Sequence, residues 1–128
     1  ADLDNRDWIP FKQLIKSTDA LIMLSHVILA EGDSANPVSF SKTVVQTIIR
    51  DTWKYEGILI TDDLTMGAAY SQGLCNATIK ALNAGVDLLL ISYDYEKFYE
   101  AMYCASRAYS NGQVDKEMME LSHHRFNP

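Results

Sequence analysis

At 128 residues the chain holds at most one domain, since domains usually run to about 100–200 residues. Its 48% hydrophobic content suffices for a core and is too high for a disordered segment. Seventeen acidic against eleven basic residues give a net charge of −6 with no Lys/Arg cluster, which argues against a nucleic-acid partner. No apolar run approaches the roughly 20 residues needed to span a bilayer.

In chain order, Asp7-Trp8-Ile9-Pro10 opens a short helix, with Asp7 placed to cap it and Pro10 tolerated in its first turn. Phe11, Leu14 and Ile15 then share a face. Residues 20–26 form a continuous apolar run, the pattern of a strand covered on both faces, and end at His26. A polar loop follows over residues 31–37. Ser41 caps the next helix, in which Val44, Val45, Ile48, Ile49 and Trp53 recur at helical period.

The strand Ile58-Leu59-Ile60 leads directly into Thr61-Asp62-Asp63-Leu64-Thr65-Met66. A helix around residues 76–83 stops at Gly85, which supplies a left-handed cap. Residues 86–92 read as a third buried strand, with Asp87 as a structural group at its start. Residues 95–109 form a helix ending at Asn111-Gly112, and a last helix starts near Asp115 and turns Met118, Met119 and Leu121 inward. Cys75 and Cys104 have no metal-ligand spacing and lie in different predicted helices, so they read as two separate half-buried thiols.

Helix-containing crossovers make the three strands parallel. An all-parallel sheet of three strands leaves two apolar edges open. The chain is therefore expected to belong to a larger barrel, or to pair with a second copy or another polypeptide. In parallel α/β folds the site lies at the carboxyl ends of the strands, which singles out Asp62. Asp63, pointing away from its neighbour, is expected to make structural hydrogen bonds to the loop or the next strand. A phosphoacceptor receiver fold fails because only one strand follows Asp62-Asp63, and a dinucleotide-binding module fails for want of a glycine-rich turn after any strand.

Several phrases resemble glycoside hydrolase family 3. Ile9-Pro10-Phe11 is similar to its "DLxPF" opening, Met23-Leu24-Ser25-His26-Val27-Ile28 to its "MxxHVIY" strand end, and Pro37 with Ser41 to its "PATLS" helix start. Residues 57–66 resemble "GVIxSDDLxM", and residues 81–89 match "ALNAGxDLLL" almost letter for letter. The pattern is most similar to the bacterial β-N-acetylhexosaminidase branch.

The resemblance implies an α/β fold: part of a TIM (β/α)8 barrel, with residues 1–128 as a single fragment forming its C-terminal half, strands six to eight. It implies that Asp62 is the nucleophile of a retaining glycosidase that removes terminal β-linked N-acetylglucosamine from cell-wall-type glycans. The family's acid/base, an Asp–His dyad after strand five, has no counterpart here and is expected upstream, leaving these residues alone inactive.

His26 either lines the sugar site or is a satisfied core histidine, and Met66 either packs beside the sugar ring or fills core. Tyr93, Tyr95, Phe98, Tyr99 and Tyr103 read as a packing face more than as a sugar platform. His123 and His124 fall on a stretch of the last helix that makes a metal site improbable. No cofactor or metal is implied. The partners expected are a carbohydrate and a missing barrel half or second copy, with no nucleic acid or membrane. Reduced cysteines and the lack of a visible signal point to the cytoplasm, although a start at Ala1 rather than Met leaves export open.

Overall fold

A computed structural model describes residues 3–127. Its centre is a parallel pair, β1 (Ile22–Leu24) and β4 (Leu59–Thr61), in the register Ile22↔Leu59, Met23↔Ile60, Leu24↔Thr61. The third apolar run joins in parallel through Ile60↔Leu88 without forming a regular ladder. Asp87 and Leu88 both donate to the Leu59 carbonyl, and Leu90 N–H goes to the Thr61 hydroxyl rather than to backbone. A side chain thus replaces a ladder bond, and the run stays beside β4 as extended chain.

The polar stretch read as a loop contains a small antiparallel pair, β2 (Ile28–Leu29) and β3 (Asp33–Pro37). Asp33 organises it by accepting from Ala35 N–H at 3.0 Å, Asn36 N–H at 3.1 Å and Ser41 Oγ at 2.8 Å. The bond from Ser41, followed by that from Asn36, lowers the Asp33 pKa. Ser41 in turn accepts from Val44 N–H at 3.1 Å, opening the wide-wound helix Thr43–Thr52. Val44, Val45 and Ile49 of that helix pack on Ile22, Leu24 and Leu59.

Asp7 is not a cap. The helix Ile9–Ser17 begins after Trp8 with no side-chain cap, preceded by a helical turn at Leu3–Asp7. Gly85 ends the helix Leu74–Ala84 in the left-handed region with φ 91°. Asp115 caps Lys116–Phe126 by accepting from Glu117 and Met118 N–H; Met118 and Met119 of that helix are half-buried, but Leu121 faces outward.

Two further expectations need correction. Cys75 and Cys104 are not separate thiols: they form a disulfide joining the helices Leu74–Ala84 and Lys97–Ser110. Small residues on these helices, Ala77, Ala81 and Ala101, share one buried cluster and bring the backbones close, with the two cysteine Cα atoms 5.1 Å apart. The same close packing displaces the aromatics. Ala101, Cys104 and Ala108 form the inward face of Lys97–Ser110, while Tyr95, Phe98, Tyr99 and Tyr103 are exposed and Tyr93 is 91% exposed.

At the base of the strands, the Asp87 side chain is fully enclosed and ion-paired to Arg50 at 2.7 Å and Arg125 at 2.9 Å. It also accepts Leu59 N–H at 2.8 Å. Both sides of the parallel core remain open. Leu21, Met23, Val27 and Ile28 are each about half exposed along β1 and beyond it. On the other side a groove of about 590 Å³ is lined by residues including Leu89, Ile91, Phe98, Met102 and Tyr109.

Candidate active site

Three neighbouring chain segments end at one mouth. β1 delivers Ser25 and His26, β4 delivers Asp62 and Asp63, and the third run delivers Ser92 and Tyr93. Asp62 N–H donates to the Leu24 carbonyl at 2.9 Å, so the residue is anchored across the pair just as β4 ends. The residue is partly exposed, and Oδ1 accepts the Asp63 backbone N–H at 2.8 Å. The carboxylate is thereby oriented by backbone at the end of β4.

Asp63 ties the three segment ends together. One carboxylate oxygen accepts Thr65 N–H at 2.8 Å and Thr65 Oγ1 at 2.6 Å. The other accepts Ser92 N–H at 2.9 Å, Ser92 Oγ at 2.5 Å and Tyr93 N–H at 2.9 Å. Burial alone pushes this carboxyl up, but the hydrogen bonds from Ser92, Thr65 and Tyr93 together outweigh it. The group is held well below the usual carboxylate range.

The Asp63 carbonyl reaches His26 Nε2 at 2.9 Å, and His26 Nδ1 lies 2.7 Å from Ser39 Oγ. A carbonyl only accepts, so Nε2 carries a proton, and in the neutral ring Nδ1 accepts from Ser39. Both ring nitrogens of His26 are engaged inside the protein, which leaves none for a sugar hydroxyl. Ser39 is fully buried in the turn Val38–Phe40, and Phe40 packs its ring 5.6 Å from His26.

Met66 is half exposed directly before the short helix Gly67–Tyr70, with its side chain available to an apolar surface. Among the described residues, no group of His, Cys, Asp and Glu is arranged to hold a metal ion. His123 and His124 are exposed near the end of the last helix.

Sequence reasoning reached Asp62, Asp63, His26 and Met66 but missed Ser39, Thr65 and Ser92. Thr65 could have been suspected as a turn residue two positions after an aspartate. Ser39 and Ser92 carry no local signal, because their partners lie 13 and 29 residues away.

The chain matches the model of the glycosyl hydrolase family 3 N-terminal domain over residues 1–127. It is 42% identical over 98 residues to a β-hexosaminidase of Tolumonas auensis, covering 68% of this chain and 29% of that protein. A β-hexosaminidase of Thiobacillus denitrificans is 36% identical over 91 residues, covering 70% and 25%. Among solved structures, a family 3 β-N-acetylglucosaminidase from Paenibacillus superposes with a TM-score of 0.90 at 28% identity, covering 96% of this chain and 24% of that one.

The chain therefore belongs to glycosyl hydrolase family 3. It has an α/β fold with a parallel core, consistent with the barrel domain of that family, and it spans between a quarter and a third of the curated relatives it matches.

Proposed function

We propose that this chain is the nucleophile-bearing part of a retaining β-N-acetylglucosaminidase acting on cell-wall-type glycans, with Asp62 as nucleophile. In this reading residues 1–128 are the C-terminal half of the barrel. One oxygen of Asp62 bonds to the anomeric carbon as the bond to the leaving oxygen breaks, and water later hydrolyses the glycosyl-enzyme. The observation that carries the reading is the placement of Asp62 at the carboxyl end of β4, with Oδ1 held by Asp63 N–H and the residue partly exposed. The matching relatives are hexosaminidases, which supports the same sugar class. Met66 supplies an apolar contact for the sugar ring.

The acid/base group is supplied by an upstream half of the barrel. The half-exposed residues along β1 and the groove by Leu89 and Ile91 are the surfaces that half would cover. The test is Asp62→Asn in the complete protein with an aryl β-N-acetylglucosaminide. Turnover should be lost while the unfolding transition is retained; unchanged turnover overturns the assignment.

A second reading is favoured by those same open edges: an inactive half-barrel stabilised by self-association or by pairing with a partner polypeptide. The solution mass of the isolated 128 residues tests the former. A stable dimer supports self-association, and a monomer excludes that form of the second reading.

The disulfide bears on the compartment. The expectation of a cytoplasmic location rests in part on reduced cysteines, whereas a pair joining two helices suits a chain that matures in an oxidising compartment.

A further inference from the structure

The side chain of Asp63 bonds Thr65, Ser92 and Tyr93, and the backbone it fixes bears on where Asp62 sits. The Asp63 backbone N–H holds Asp62 Oδ1 at 2.8 Å. That N–H can hold its aim only if Asp63 itself is fixed, and the residue is gripped through its side chain and through its carbonyl. The carboxylate pins Asp63 to Ser92 and Tyr93 on the third segment, and the Asp63 carbonyl, in the peptide to Leu64, is met by His26 on the first. His26 is fixed in turn by Ser39, which is fully buried and whose N–H donates to the Ser25 carbonyl at 3.2 Å.

We infer that Asp63 and His26 are the positioning residues of Asp62: the side-chain bonds of Asp63 and the grip of His26 on its carbonyl hold the Asp63 backbone so that Asp62 Oδ1 is occupied and Oδ2 is presented for attack. The inference rests on Asp62 being the nucleophile. It assigns His26 to the protein side of the site rather than to the sugar. His26 must then keep a donor at Nε2, a requirement that glutamine meets and leucine does not.

The experiment uses the complete protein as its source produces it, as wild type, Asp63→Asn, His26→Leu and His26→Gln. Each is treated with a ring-fluorinated β-N-acetylglucosaminide carrying a dinitrophenolate leaving group. Such a leaving group departs with its bonding electron pair and needs no proton from a general acid, so the probe reports the attack of Asp62 alone. Intact mass gives both the rate constant for labelling and the fraction labelled, and peptide mapping gives the residue. Positioning predicts that Asp63→Asn and His26→Leu lower the rate constant by about a hundredfold, as expected for a misplaced reacting group. Saturation by the probe should stay near its wild-type concentration, and His26→Gln should restore most of the rate lost in His26→Leu.

A merely structural role instead lowers the fraction labelled and leaves the rate constant of the remaining molecules unchanged, which overturns the inference. If Asp63→Asn yields no folded protein, the His26 pair decides: equal rates for leucine and glutamine overturn the inference, and a fast glutamine beside a slow leucine supports it. Wild type labelled elsewhere than Asp62 overturns the reading of the nucleophile and the inference with it. Wild type labelled on Asp62 with all variants equally fast overturns the positioning alone.

Discussion

The guanidinium of Arg50 meets the fully enclosed carboxylate of Asp87 at 2.7 Å, beneath the strands and at the end away from the mouth. Arg125 closes the same carboxylate from the last helix at 2.9 Å, so a group early in the third segment binds two helices to the sheet. Burial lowers the Arg50 pKa first of all, and the like charge of Arg125 adds to that, while Asp87 opposes both. Removing the carboxylate leaves the buried Arg50 and the partly buried Arg125 facing each other.

Asp87→Ala should therefore cost about 3–5 kcal/mol, the range for breaking a buried pair from one side. Chemical denaturation of wild type and variant checks this. Arg125→Met should cost less, because the Arg125 side chain is 16% exposed and the Arg50–Asp87 pair survives.

The disulfide yields a chemical prediction. Alkylation of the unreduced, denatured protein should modify neither cysteine, and alkylation after reduction should modify both. Because the bridge closes a loop of 29 residues, its loss should cost roughly 3–4 kcal/mol in the chain-entropy account. The shift in urea midpoint on reduction, absent in Cys75→Ala/Cys104→Ala, measures it.

Asp63 predicts an acid limb. Its folded pKa lies below the unfolded carboxylate value of about 3.9. Its contribution to stability is thus fully present above that value and is lost as pH falls below it toward the folded pKa. The stability difference between wild type and Asp63→Asn should be constant from neutral pH to about 5 and shrink as the pH is lowered further. A difference that grows on acidification would show that the carboxylate is not held in its charged form.

Gly85 yields a local prediction. Its φ of 91° disfavours any side chain, and a Cβ there would run into Gln46 Nε2, which donates to the Ala84 carbonyl at 3.0 Å. Gly85→Ala should destabilise by more than about 1 kcal/mol. Gly67→Ala, where nothing lies within 4 Å and φ is not positive, should be near neutral in the same thermal melts.

Much of this was legible in the sequence because its signals are local. The helix-period stripe on Val44, Val45 and Ile49, the glycine stop at Gly85 and the helix start near Asp115 each act over one or two turns of backbone. The position of Asp62 at a strand end follows from an apolar run meeting a carboxylate, and the flanking motifs sufficed for the family.

What the tertiary structure decided depends on residues far apart in the chain. Asp63 reaches Ser92 across 29 positions and His26 reaches Asp63 across 37, so neither partner leaves a mark on local pattern. The cysteines pair because alanine-lined helices approach closely, and that same approach, rather than hydrophobicity, turns the aromatics of Lys97–Ser110 outward. Periodicity establishes that a helix has faces. Which face is buried is settled only by the shape of what packs against it.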